Sequence, residues 1–179
     1  MTRGLKITGS SLLMLLAIAI LIVCKYDFPK KINLTYPAIE FRPGNQASVD
    51  KTAITLKGTL HRKLFRDQRF TGEIEITKYE VTKARMMPIV FNKNINNGWG
   101  VTVYLNDTYD ADSGAVQEMN IVQLSSIWKT GDFDSMKFLL FEPVGADSGQ
   151  GKDLQIMAPA TDYDSAMALD QQYKEQGKY

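Results

Sequence analysis

The chain has 179 residues, 44% of them hydrophobic and 23% charged, with a formal net charge of +1. That balance excludes wholesale disorder, and a near-neutral total gives no electrostatic footprint for nucleic acid, which is not expected as a partner. One histidine and one cysteine exclude a disulfide framework and leave little from which to build a zinc site or a Cys–His device.

The first element is an apolar run, Ile7 to Val23, without a charged residue, with Arg3 and Lys6 before it and Lys25 after it. As a helix it would reach roughly 26 Å, near the lower limit for a bilayer core of about 30 Å, and snorkelling lysines extend that reach. Residues 1–24 are therefore expected to be a short cytoplasmic head and an uncleaved single-pass membrane anchor. The basic head followed by an apolar run is the pattern of an export signal, which puts the rest of the chain outside the cytoplasm. A cleaved signal fits less well, because Ala17 and Ala19 lie inside the run with Ile20 to Val23 still to come. The tail Leu21-Ile22-Val23-Cys24 resembles a bacterial lipoprotein signal, which implies lipidation at Cys24, although Val23 stands where that motif takes a small residue.

Residues 25–50 read as a linker, since Pro29, Pro37 and Pro43 recur without apolar periodicity and Pro43-Gly44-Asn45 is turn chemistry. Residues 51–179 then form one domain. Ile54, Leu56, Gly58 and Leu60 alternate with polar residues, as do Phe70, Gly72, Ile74 and Ile76 after the polar turn Arg66 to Arg69. This is a hairpin, with Lys57 or Arg62 facing Glu73 or Glu75, and a bulge or bend is expected past Lys78, where the apolar phase slips.

Met87 to Phe91 reads as a short edge strand, because Pro88 stands at its start, and the Asn-rich Asn92 to Gly98 as a reversal. Trp99 to Leu105, Val116 to Leu124, Met136 to Phe141 and Leu154 to Met157 complete seven expected strands. Thr161 followed by Asp164 reads as a capping box opening an amphipathic helix with Tyr163, Ala166, Leu169 or Asp170, and Tyr173 on one face. The expected fold is mainly β, an antiparallel sandwich or barrel of about seven strands with one C-terminal helix, preceded by the N-terminal transmembrane helix.

Charge is unevenly spread along the chain: residues 57–93 carry nine Lys and Arg against four Asp and Glu, whereas residues 106–179 carry five against thirteen. Such a chain pairs its halves internally or shows faces of opposite sign to different partners. The hairpin tip Arg62, Lys63, Leu64, Phe65 and Arg66 with Arg69 gathers cations around two large apolar side chains, and is the candidate surface for a protein or anionic envelope partner. Asp107, Asp110 and Asp112 are weak calcium candidates, because their spacing fails the EF-hand pattern and Ile121 stands where it needs Glu. His61 is expected to be a solvated strand residue, and Trp99 and Trp128 core residues rather than a sugar platform. No catalytic, cofactor or metal motif stands out, so the expected role is non-enzymatic: a membrane-anchored, extracytoplasmic binding or accessory module. The alternatives are a ligand-sensing or calcium-dependent envelope domain and, third, a carboxylate-based hydrolase.

Overall fold

The computed structural model describes residues 12–18, 27–63, 66–109, 116–142, 144 and 151–178. They form nine strands, β1 (Asp27–Arg42), β2 (Asn45–Lys63), β3 (Gln68–Ile76), β4 (Arg85–Met86), β5 (Ile89–Phe91), β6 (Gly100–Tyr109), β7 (Val116–Thr130), β8 (Ser135–Phe141) and β9 (Gly151–Ala158). One helix follows, α1 (Tyr163–Glu175). The strands make a single sheet in the order β4-β6-β7-β8-β9-β1-β2-β3-β5, every pair antiparallel.

The sheet curls until its two ends meet. β4 pairs with β6 at one end and β5 with β3 at the other, and only Met87 and Pro88 separate β4 from β5. The backbone N–H of Met87 donates to the Val103 carbonyl at 2.8 Å, and that of Asn92 to the Trp99 carbonyl at 2.9 Å. Across the interior the Tyr104 phenol, on β6, donates to the Ile74 carbonyl of β3 at 2.6 Å. Inside the curl lie Ile54, Leu56, Leu60, Phe70, Ile74, Phe133, Phe138 and Leu140, all fully buried. A second core, with Ile39, Phe41, Trp128 and Met157, lies on the outer face of the sheet, where Ala166 and Tyr173 of α1 cover it.

The hairpin of β2 and β3 forms as expected, and of the cross-strand pairs left open Lys57 faces Glu73, whereas Arg62 lies beyond the paired register and faces neither acid. Gly58 and Gly72 face each other there, and a Cβ on either would come within 2.5 Å of partner-strand backbone, so the close approach requires glycine at both. The phase slip past Lys78 is a turn followed by a 3-10 segment, Glu80–Lys83. The turn after Phe91 uses the left-handed region at Asn96 and Asn97, as its composition predicts.

Two strands exceed the expected seven, β1 and the two-residue β4. Of residues 25–50, read as a linker, 27–42 and 45–50 are strand and only the Pro43-Gly44 turn is as expected; β1 lies beside both β2 and β9 near the middle of the sheet. Its prolines are tolerated because β1 meets β9 only at Ile39 to Phe41, so Pro29 and Pro37 fall where one flank carries no ladder. Its periodicity is hidden because Ile32 and Ala38 face the interior core while Ile39 and Phe41 face α1. The capping box sits one residue later than expected. Asp162 accepts from the Ser165 N–H at 2.8 Å, and the Asp162 N–H donates to the Ser165 hydroxyl at 3.2 Å.

Of the apolar run, residues 12–18 are helical, and Leu12 to Leu16 and Ile18 are exposed. No helix among the described residues is long and apolar enough to cross a membrane. The rest of Ile7 to Val23, with Cys24, lies outside the described residues.

Candidate functional site

The chain enters the sheet at Asp27, opposite Lys63, and the antiparallel order fixes what else stands at that end. The β2–β3 tip, the turn 92–99, the turn 131–134 and the C-terminus of α1 all gather there. Asn97 ties the turn 92–99 to the C-terminus of α1, its side-chain amide donating to the Gln176 carbonyl at 2.8 Å. The rim encloses two cavities.

The first, about 570 Å³, lies on the outer wall and is lined by Asp27, His61, Arg66, Asp67, Arg69, Val90 and Asn94. His61 is half-buried rather than solvated. Its Nδ1 lies 2.9 Å from Asp27 Oδ2 and its Nε2 3.1 Å from the Thr71 hydroxyl, a line across β1, β2 and β3. Acid, imidazole and hydroxyl in that order are the parts of an acyl-transfer device. Thr71, however, does not line the cavity, and its hydroxyl also donates to the Thr59 carbonyl at 3.4 Å. A ligand in the cavity would meet the imidazole and the two arginines before the hydroxyl.

The second cavity, about 440 Å³, opens at the mouth of the curled sheet. Gln68, Phe91, Lys93, Gly98, Lys129, Thr130, Gly131, Gln176 and Lys178 line it: three lysines and no carboxylate. Its floor is aromatic, with the Phe133 ring edge-on to Phe70 at 5.0 Å and to Phe91 at 5.9 Å. Lys129 Nζ stands 5.3 Å from the ring centres of both Phe91 and Phe133 and donates to the Gly131 carbonyl at 2.6 Å. Burial pulls its ammonium down to about 8; Asp132 and Asp134 oppose the shift, and Lys178 adds to it. Burial also lowers Lys178, whose Nζ donates to the Lys129 carbonyl at 3.3 Å and to Gln176 at 2.8 Å.

The structure divides the expected tip surface. Arg62 is engaged within the fold, at 3.0 Å from Asp132, which Lys30 also meets at 2.8 Å. Those two cations hold the Asp132 carboxyl below its ordinary value, the Lys30 hydrogen bond contributing most. Arg66 and Arg69 line the outer cavity, while the Lys63 side chain, Leu64 and Phe65 lie outside the described residues. Of the calcium candidates, Asp107 is paired with Arg85 at 3.0 Å, and Asp110 and Asp112 lie outside the described residues. Among the described residues no three His, Cys, Asp or Glu side chains come together as a metal site. Trp128 is buried and donates from its ring to the Asn96 carbonyl at 2.9 Å, and Trp99 donates to the Ser126 hydroxyl at 2.9 Å. Both tryptophans pack in or against the core beneath α1.

The mouth lysines escape sequence reasoning because Lys93, Lys129 and Lys178 share no motif and come from three separate segments. At the opposite end, carboxylates sit in paired networks: Arg42 with Glu142 and Asp153, and Lys78 and Tyr79 with the buried Glu40. Comparison with protein-family models, with curated proteins and with solved structures finds no match.

Proposed function

We propose that this chain is a single-pass membrane protein whose β domain lies outside the cytoplasm and acts as a non-enzymatic binding module. The domain is a barrel-like curl tethered through residues 7–23, and its binding end is the cation-bearing rim. The observation that carries this reading is the position of the rim: the chain enters the sheet at the end where Arg66, Arg69, Lys93, Lys129 and Lys178 gather. A tether there would hold those cations against an anionic surface, where each contributes about 1 kcal/mol at best. The exposed leucines of 12–18 suit lipid better than water.

Protease treatment of intact cells carrying a C-terminal tag, with the mass of the mature chain, tests the reading. Loss of the tag from outside, with residue 1 or 2 retained, is the expected result. Protection until lysis would overturn the exported placement.

A hydrolase is the second reading, favoured by the Asp27–His61–Thr71 line. It requires ester turnover that Thr71→Val abolishes at unchanged melting temperature, and turnover indifferent to that change would remove it.

A further inference from the structure

We infer that the mouth of the curled sheet is a binding site for a phosphate-bearing anion, held by Lys93, Lys129 and Lys178. The inference deepens the binding-module reading and does not depend on the tether.

The cavity carries three ammonium groups and no lining carboxylate, so its own charge is unanswered from within. Asp132 is already engaged by Lys30 and Arg62, and Asp134 lies over Gly131 at the exposed turn. Each ammonium has three donors. Lys129 spends one on the Gly131 carbonyl, Lys178 two, and Lys93 none on any partner among the described residues. Several donors therefore remain unused on the lysines that line one cavity.

The donor type selects the ligand. A planar carboxylate is best met by the fork of an arginine, and the mouth has none. Compact ammonium charges carried on three separate segments suit a tetrahedral anion whose oxygens point in several directions. Phe91 lines the cavity with Phe133 packed against it, and lower local polarity beside such rings strengthens each ion–ion contact. Lysines gathered without an anion repel one another, as the effect of Lys178 on Lys129 attests. A bound anion would relieve that repulsion and hold the Lys129 amine protonated.

The phosphate could be free or part of a lipid headgroup, and one measurement separates the sources. The full chain is labelled at about pH 8 with an amine-acetylating reagent, the pH at which Lys129 is about half deprotonated. Peptide mass spectrometry then follows Lys129, with exposed Lys83 as the internal reference. In neutral detergent, millimolar pyrophosphate should slow labelling of Lys129 about fivefold relative to sodium chloride of equal ionic strength. If the ligand is a headgroup, the slowing appears instead in phosphatidylglycerol nanodiscs without added phosphate and is absent from phosphatidylcholine nanodiscs. In either case the paired change Lys93→Gln and Lys178→Gln should remove the protection while leaving Lys129 as reporter.

Labelling unchanged by pyrophosphate and by both lipids, or slowed equally by chloride, would overturn the site. Protection that persists in the paired variant would overturn the assignment of Lys93 and Lys178. A domain found in the cytoplasm would remove the tethered reading and leave the pyrophosphate result standing.

Discussion

Single residues in this molecule are constrained mainly by close approach and by burial. A Cβ at Gly72 would meet the Lys57 carbonyl at 2.2 Å and Gly58 Cα at 2.5 Å, both backbone, and Gly72 also holds φ +148°. Gly72→Ala should therefore destabilise the fold by about 3 kcal/mol in chemical denaturation, since strands rather than side chains must move. An unchanged midpoint would mean that β2 and β3 separate there at little cost. Lys129 gives a pH signature. Its folded value of about 8 lies below the ordinary 10.5, so between those values the unfolded chain holds a proton that the native state has released. Native stability should rise with pH from about 8, until the buried Tyr173, whose phenol is pushed up to about 12, and the similarly raised Tyr104 resist the ionisation that unfolding permits near 10. Lys129→Met, with no proton to lose, should show a smaller rise when melting temperatures are compared between pH 7.5 and 9.5, the remainder coming from Lys178, which burial also lowers.

At the scale of elements, α1 is attached to the sheet by charge as well as by apolar contact. Lys137 of β8 is 2% exposed and Asp170 of α1 fully buried, their charged atoms 2.7 Å apart, and Lys174 reaches the other oxygen of Asp170 at 2.7 Å. Lys137→Met leaves the buried Asp170 with the half-exposed Lys174 as its cation, so it should cost about 3 kcal/mol, the low end for breaking a buried pair. The double change Lys137→Met with Asp170→Leu should recover most of that loss, and a double-mutant cycle reads the coupling directly. Additive losses would mean that the ammonium finds other partners when Asp170 is gone. The amphipathic pattern in the sequence placed the helix and its inward face. The choice between Leu169 and Asp170 for the deepest position was settled against hydropathy, because Asp170 has a cation waiting beneath it.

Over the whole molecule, β1 is the strand that joins β4 and β6–β9 on one side of the sheet to β2, β3 and β5 on the other. Deleting 27–44 should abolish cooperative unfolding, whereas a chain beginning at residue 25 should keep it, because residues 12–18 belong to neither buried core. Circular dichroism melts of the two truncations check both statements. A folded product without β1 would mean that the remaining strands can close the curl alone. The same topology, rather than the charge pattern along the chain, sets what stands at the two ends of the curled sheet, since Lys129 and Lys178 come from the acidic stretch 106–179. Lysines from segments as far apart as residues 93 and 178 meet at one mouth, and paired carboxylate networks occupy the other end.

Local pattern was enough, by itself, to determine the β class, the β2–β3 hairpin, the Asn-rich reversal before β6 and the terminal helix. Each is written in periodicity or turn chemistry within a few neighbouring residues. Tertiary structure alone decided that 27–42 is a central strand, that the sheet closes on itself, and that Lys93, Lys129 and Lys178 share one cavity. Those depend on which distant segments pair. A strand covered on both faces loses its alternation, and a site drawn from three loops has no spacing to read.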